Sequence, residues 1–305
     1  MKLISSYFCL LYILIIISCS ISTDKKPQSS DFLNNNATGY DFSSPDEIYI
    51  LPGILQEISG ISAIDSSSVA CIQDEKGIVF FYDLKSKNIQ RQLVFHTNGD
   101  FEGISRVDET LYILRSDGML FAVENFMSPE FKKKMISTGI QEKENEGLCY
   151  DPKNKRLLIA SKLNPAKSSE KKEYRVIYGL ALNSGSIKKD SVYNFSVSGI
   201  NRFASDLVIS NKGKEKKKKK GSAKEIEFRP SAIGIHPVTN KLYVLSGMER
   251  MLFVFDIKGN IELIEKLDPE LFNMPEGITF LTNGDMLISN EGQNRNPTIL
   301  RFNYK

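Results

Sequence analysis

A short turn that recurs five times sets the fold of this 305-residue chain. Glu102-Gly103-Ile104, Glu146-Gly147-Leu148 and Glu276-Gly277-Ile278 each open an apolar run, and Ser59-Gly60-Ile61 and Ser231-Ala232-Ile233 stand in the same place in two others. From Ser59 the steps are 43, 44, 85 and 45 residues. A repeat near 44 residues is the size of one four-stranded propeller blade. The period therefore predicts an all-β ring and sets a carboxylate at an equivalent point of several blades. It names no ligand.

The blades follow one layout. After each turn come two further apolar runs: Val69–Ile72 and Ile78–Tyr82, Leu111–Leu114 and Met119–Phe121, Leu157–Ile159 and Val176–Tyr178, Leu242–Leu245 and Leu252–Phe255, Met286–Ile288 and Thr298–Leu300. Short β-branched and aromatic runs punctuated by Gly, Asn and Asp are strand signals. A fourth strand is expected around Gln92–Phe95, Lys134–Ile136, Val192–Phe195 and Ile261–Ile264. The last blade runs out of chain, and Glu47–Leu51 is the candidate for its missing outer strand. Pairing it there closes the ring and removes two sheet edges. The prediction is a five-bladed β-propeller of four-stranded blades. The alternative is six blades, with a degenerate one inside the 85-residue step, where Phe203–Val208 could be a strand or a short helix.

The chain ends and the composition bound the rest. An apolar stretch from Leu3 to Ile17 after Met1-Lys2 is shorter than the roughly 20 residues a membrane span needs. With Ile16-Ile17-Ser18-Cys19 it resembles a lipoprotein signal, so residues 1–18 are expected to be removed and Cys19 to carry lipid. Residues 19–44 are polar and are expected to bury nothing, as a tether with a reach of about 25–30 Å. Residues 45–305 suffice for one domain. A lysine-rich insertion spans about 199–228, with eight Lys and one Glu between Lys212 and Lys224. Without that run the net charge of +3 turns mildly acidic, so no nucleic-acid partner is expected. Cys71 and Cys149 lie in apolar runs and are expected as buried small hydrophobes, with a disulfide between them as the alternative.

Strands of a blade alternate in direction, so the start of the first strand shares a face with the turn between second and third strands. Glu102, Glu146 and Glu276 thus share a channel mouth with Asp74, Glu75, Asp117 and Glu291, and Glu57 can lean into it. Such carboxylates repel, so they take up protons or a cation. With oxygen donors on offer, Ca²⁺ suits better than Mg²⁺, and with only two His in the chain zinc is poorly supported. The bland alternative is a structural clasp in which each turn hydrogen-bonds the neighbouring backbone. No nucleophile elbow, zinc-protease helix, phosphate loop or EF-hand loop is present.

The phrases LPGILQEISGIS, GDFEGISRVDETLYILRSDG, NEGLCYDPKNKRLLIASK, FRPSAIGIHPVTNKLYVLSG and MPEGITFLTNGDMLISNEG resemble the SdiA-regulated family of exported bacterial proteins. The resemblance spans about residues 45–305. It implies a five-bladed propeller, distantly like NHL-repeat propellers, with a bound calcium. The carry-over falls on Glu102, Glu146 and Glu276, with Glu57, Asp74 and Glu75 as outer candidates. Ser231 departs from a fully acidic ring.

These observations lead to a lipid-anchored, calcium-binding propeller that acts as a monomeric binding module for a small molecule or an envelope protein. The outer membrane is the favoured location. The alternative is a calcium-dependent hydrolase of the lactonase or esterase kind. A phosphoesterase with Arg115, Lys162 and Arg295 as phosphate grips is weaker still.

Overall fold

The computed structural model describes residues 38–142, 144–162, 173–182, 189–211 and 225–305. The signal segment, Cys19, most of the tether and the lysine run lie outside the described residues.

Twenty strands form five antiparallel four-stranded sheets. The first strand, β1 (Glu47–Ile50), stands apart from its sequence neighbours and is followed by a single 3-10 turn, Gly53–Leu55. Blade one is β2 (Ile58–Ala63), β3 (Ser68–Gln73), β4 (Ile78–Asp83) and β5 (Asn88–Val94). Blade two is β6 (Phe101–Val107), β7 (Thr110–Arg115), β8 (Met119–Glu124) and β9 (Lys132–Ser137). Blade three is β10 (Asn145–Asp151), β11 (Arg156–Ser161), β12 (Tyr174–Ala181) and β13 (Lys189–Ser196). Blade four is β14 (Ala232–Ile235), β15 (Leu242–Ser246), β16 (Met251–Phe255) and β17 (Ile261–Lys266). Blade five is β18 (Pro275–Phe280), β19 (Met286–Asn290) and β20 (Thr298–Phe302), completed by β1.

The closure expected from the sequence is the one observed. β1 pairs antiparallel with β20, from Glu47 opposite Arg301 to Ile50 opposite Thr298. The inner strands β2, β6, β10, β14 and β18 each touch the next around the ring, and β18 touches β2.

Packing explains why the middle strands read as continuous apolar runs rather than as alternating ones. There is no single core. Buried side chains fall into five clusters, one at each contact between neighbouring blades. Phe80 and Tyr82 of blade one meet Leu287 and Ile299 of blade five, while Val79 and Phe81 on the other side of the same strand meet Ile113 and Phe121 of blade two. A middle strand is thus buried on both faces, which removes the polar half of the usual period.

Among its described residues the 85-residue step holds no sixth blade. It holds the one α-helix among the described residues, α1 (Val197–Asn211), which packs on β13 and β17. Ser196 caps it, accepting the Gly199 N–H at 3.0 Å. Ile200 and Ala204 join Phe195, Phe228 and Phe253 in the core between blades three and four. Asn201 grips the returning chain, accepting the Ile226 N–H at 2.7 Å and donating to its carbonyl at 3.1 Å. The segment Phe203–Val208 is therefore helix.

One boundary shifts. The packed body begins upstream of residue 45, because Tyr40 and Phe42 are buried against blades four and five. The Tyr40 hydroxyl donates to the Gly284 carbonyl, and Lys305 N–H donates to Gly39 O at 3.1 Å. Two aromatics in a polar stretch suffice to lock both chain ends into the seam. Cys71 and Cys149 are buried free thiols, as small hydrophobes rather than a disulfide. Among the described residues no helix is long and apolar enough to cross a membrane.

Candidate functional site: the acidic channel mouth

The recurring turn is a β-bulge. Pairing of first and second strands slips between Ile58 and Gly60, Phe101 and Gly103, Asn145 and Gly147, and Pro275 and Gly277. The residue skipped each time is the one the sequence singled out: Ser59, Glu102, Glu146 and Glu276. A bulged residue leaves the ladder and its side chain is re-aimed. In blade four Ser231 stands just before β14 instead, its N–H bonded to Leu245 O at 2.8 Å.

The following glycine has its own cause. Inner strands crowd at this level of the ring. A Cβ on Gly103 would lie 2.7 Å from the Glu146 carbonyl oxygen, and one on Gly277 would lie 3.1 Å from the Ile61 nitrogen. Blades this close leave no room for a side chain.

The two serines act as clasps. Ser59 Oγ donates to the Phe101 carbonyl at 2.6 Å, and Ser231 Oγ to the Pro275 carbonyl at 3.3 Å. Each acceptor directly precedes the bulged glutamate of the next blade. The glutamates meet other partners. Glu102 lies against Asp100 and Glu146. Glu146 Oε1 stands 2.8 Å from Lys162 Nζ. Glu276 lies against Glu146 and Glu291, with the Ser231 hydroxyl beside it.

Burial governs the charge state. Loss of water pushes the Glu102 carboxyl up to about 9, with Glu146, Asp100 and Glu276 adding repulsion. Burial raises Glu276 to about 8, assisted by Glu146 and Glu291. Glu146 rises only to about 7, because the Lys162 ammonium opposes its burial. Lys162 in turn is held above the usual lysine value by Glu146, Glu276 and Glu102, against the effect of its own burial. Around this inner group lies an outer one. Burial raises Glu291 to about 7 beside Asp74 and Glu57, and Asp74 to about 6 beside Glu57, Glu75 and Asp100.

Most of the sequence candidates lie in two tiers. Glu102, Glu146 and Glu276 form the inner tier. Glu57 and Asp74 belong to the outer one with Glu291. Glu75 is exposed at its edge, and its N–H donates to Gln73 Oε1 at 2.6 Å. Asp117 stands apart, held by both Nε and Nη2 of Arg115. Two members escaped sequence reasoning. Asp100 sits two residues before Glu102, and that spacing was its only signal. Lys162 entered only the weakest alternative, as a phosphate grip; in the structure it is the counter-ion of Glu146. Of the other two grips, Arg115 is tied to Asp117 and Arg295 to Glu270.

The donor chemistry fits a hard cation. Every ligand atom offered is oxygen, several carboxyls face one ammonium, and Asp74 Oδ1 is buried with no hydrogen-bond partner among the described residues. As they stand, no three Asp, Glu, His or Cys side chains among the described residues gather tightly enough to grip one ion.

Fold and site together define a β-propeller with an acidic channel mouth, a class of binding or scaffold module. The chain belongs to the SdiA-regulated family, whose model matches residues 47–291. A search of curated protein sequences returns no match. Among solved structures, Myxococcus xanthus glutaminyl cyclase is similar with a TM-score of 0.56 at 12% identity, over 85% of this chain and 94% of that chain. A nidogen/laminin complex aligns with a TM-score of 0.48 at 11% identity, over 76% and 72%. The WD40 β-propeller domain of Doa1 aligns with a TM-score of 0.43 at 14% identity, over 88% and 98%. At these identities the likeness is one of fold.

Proposed function

We propose that this chain is a monomeric, lipid-anchored binding module of the cell envelope whose acidic mouth takes up a hard divalent cation, calcium first. One observation carries the reading: glutamates from three blades crowd one another around the Lys162 ammonium, Glu146 buried and Glu102 and Glu276 half-buried. Metal-free, such a group holds protons it would not hold in water, and a divalent ion is the alternative way to neutralise it. Glu102, Glu146 and Glu276 would hold the ion, with Asp74, Glu57, Glu75 and Glu291 as further oxygen donors. The ion would fix the five inner strands against one another and set the shape of the mouth that a ligand or partner meets. The lipid on Cys19 would hold that mouth near a membrane, with the outer membrane favoured.

The test is calorimetric. Calcium added to the chelator-treated chain should bind with release of protons at pH 7 and raise the melting temperature. Glu102→Gln and Glu276→Gln should each weaken binding at least tenfold, whereas Asp117→Asn should not. Unchanged affinity in both glutamate variants refutes the site. The anchor is read separately: Cys19→Ser should move the chain from the membrane fraction to the soluble one.

A further inference from the structure

The same five strands build a second cavity at the other end of the channel, with different chemistry. Its volume is about 350 Å³, and it is lined by the last residues of β2, β6, β10, β14 and β18, on the face away from the glutamates. That is room for on the order of ten non-hydrogen atoms, taking the volume share of liquid water as a guide.

Its inner end is aliphatic. Ile61, Ile104, Leu148 and Ile278 line it, each two residues beyond a bulge and each buried. One residue further on stand three hydroxyls, Ser62, Ser105 and Thr279, with the Cys149 thiol in the blade-three place and Gly234 leaving a gap in the blade-four place. Two of these hydroxyls already accept a bond from the neighbouring blade: Ser62 Oγ from the Arg106 N–H at 3.0 Å, and Thr279 Oγ1 from the Ala63 N–H at 3.1 Å. Each therefore keeps its own hydrogen to donate. The rim carries the rings of Tyr150 and Phe280.

Charge narrows the occupant. Arg106 is the cation at the rim, and its side chain is committed: Nε donates to Asp108 O at 2.7 Å, Nη1 to the Ile64 carbonyl, and the guanidinium lies over the Phe126 ring. Glu109 stands 3.9 Å from Arg106 Nη2 and offsets part of its charge, and the Asp108 carboxylate at the rim repels an anion. A cation entering past Asp108 would be stripped of water against four aliphatic side chains.

We infer that this cavity binds a neutral small molecule with an apolar body and an oxygen acceptor, the body against the aliphatic end and the oxygen on the ring of hydroxyls. The site is separate from the acidic mouth and does not depend on a cation there.

Three probes of similar size and different charge test it on the unmodified chain: acetophenone, benzoate and benzylammonium, followed by saturation-transfer NMR and a titration of the chain's own methyl signals. Acetophenone should bind at least tenfold more tightly than either ion. Ser105→Leu, which fills the hydroxyl level without removing a clasp, should weaken acetophenone at least tenfold, and Glu102→Gln at the opposite mouth should leave it unchanged. Benzoate or benzylammonium binding as tightly as acetophenone overturns the inference. So does absence of binding by all three at low millimolar concentration, or loss of acetophenone binding in Glu102→Gln. The charge series stands by itself should Ser105→Leu fail to fold. Because the chain contains no Trp, Phe280→Trp supplies an indole at the rim as a second reporter.

Discussion

Replacing Glu102 by Gln should stabilise the metal-free protein, and by an amount that depends on pH. The Glu102 carboxyl is raised from 4.5 to about 9 by burial and by its acidic neighbours. The folded chain thus keeps a proton that the unfolded chain gives up above pH 4.5. A group bound more tightly to its proton in the folded state lowers stability as pH rises, all the way from the unfolded value to the folded one. At pH 7 the separation from 4.5 is about 2.5 pH units, which at about 1.36 kcal/mol per unit is about 3 kcal/mol at most. Water at the mouth and relaxation of the neighbouring side chains reduce this to about 1–3 kcal/mol. Glutamine keeps the size of the side chain, keeps a donor for Asp100 and has nothing to ionise. The melting temperature in chelator should therefore rise by about 3–10 °C at pH 7 for a body of this size. The gain should shrink to under about 1 kcal/mol at pH 5, close to the unfolded value of 4.5. Thermal denaturation followed by circular dichroism at pH 5, 7 and 8 checks this. A lower melting temperature for the variant at pH 7, or an equal gain at pH 5 and pH 8, refutes the charge argument.

Four further outcomes are expected. Lys162→Met removes the ammonium 2.8 Å from Glu146, so the metal-free chain should lose stability more steeply between pH 5 and pH 8 than the wild type does, read from melting temperatures. Ser59→Ala deletes a buried clasp on the Phe101 carbonyl and should cost about 1–2 kcal/mol by urea denaturation. Gly103→Ala sets a Cβ 2.7 Å from a carbonyl oxygen and should cost about 1–3 kcal/mol, whereas Gly53→Ala, with open space around it, should change stability by less than about 0.5 kcal/mol. Tyr40→Ala should cost about 3–5 kcal/mol, because it empties a core position and frees the Gly284 carbonyl.

Much of the fold was legible because a propeller repeats. The 44-residue period, the strand runs and the spare strand at Glu47–Leu51 give the blade number and the closure together. The acidic face was legible because strand direction alone assigns it. What escaped depends on contacts across blades that no periodicity encodes. The bulge at Glu102 is invisible as a pattern, since a one-residue slip leaves the apolar runs in place. Lys162 follows β11 like any solvated lysine, and only folding brings it to Glu146. Tyr40 and Phe42 lie in a stretch whose average polarity hides two side chains that fill the seam between blades four and five. Helix α1 was ambiguous because the short run Phe203–Val208 suits a strand as well as a helix, and its place is set by Asn201 on Ile226 and by Ile200 on the core between blades three and four.

The two serines decide how the glutamates should be understood. If the bulged position needed a carboxylate to hold the ring, blades one and four would be weakest there, since they carry Ser59 and Ser231. They are instead the places where a side chain at that position clasps the neighbouring backbone. A hydroxyl thus meets the structural need at any pH, whereas a carboxyl has a hydrogen to donate only while it is protonated. The three glutamates lose water at a cost that a serine would not incur, and they face one another and Lys162. Groups that oppose folding at one spot, on a frame held by five separate interface cores, are what a binding site looks like before its ligand arrives. The corresponding measurement is a substitution that makes four of the five turns alike and leaves Glu146 with its Lys162 partner. Glu102→Ser with Glu276→Ser should give a metal-free propeller more stable than the wild type at pH 8 and indifferent to calcium. A double variant that is less stable at pH 8 would return the glutamates to the role of clasps.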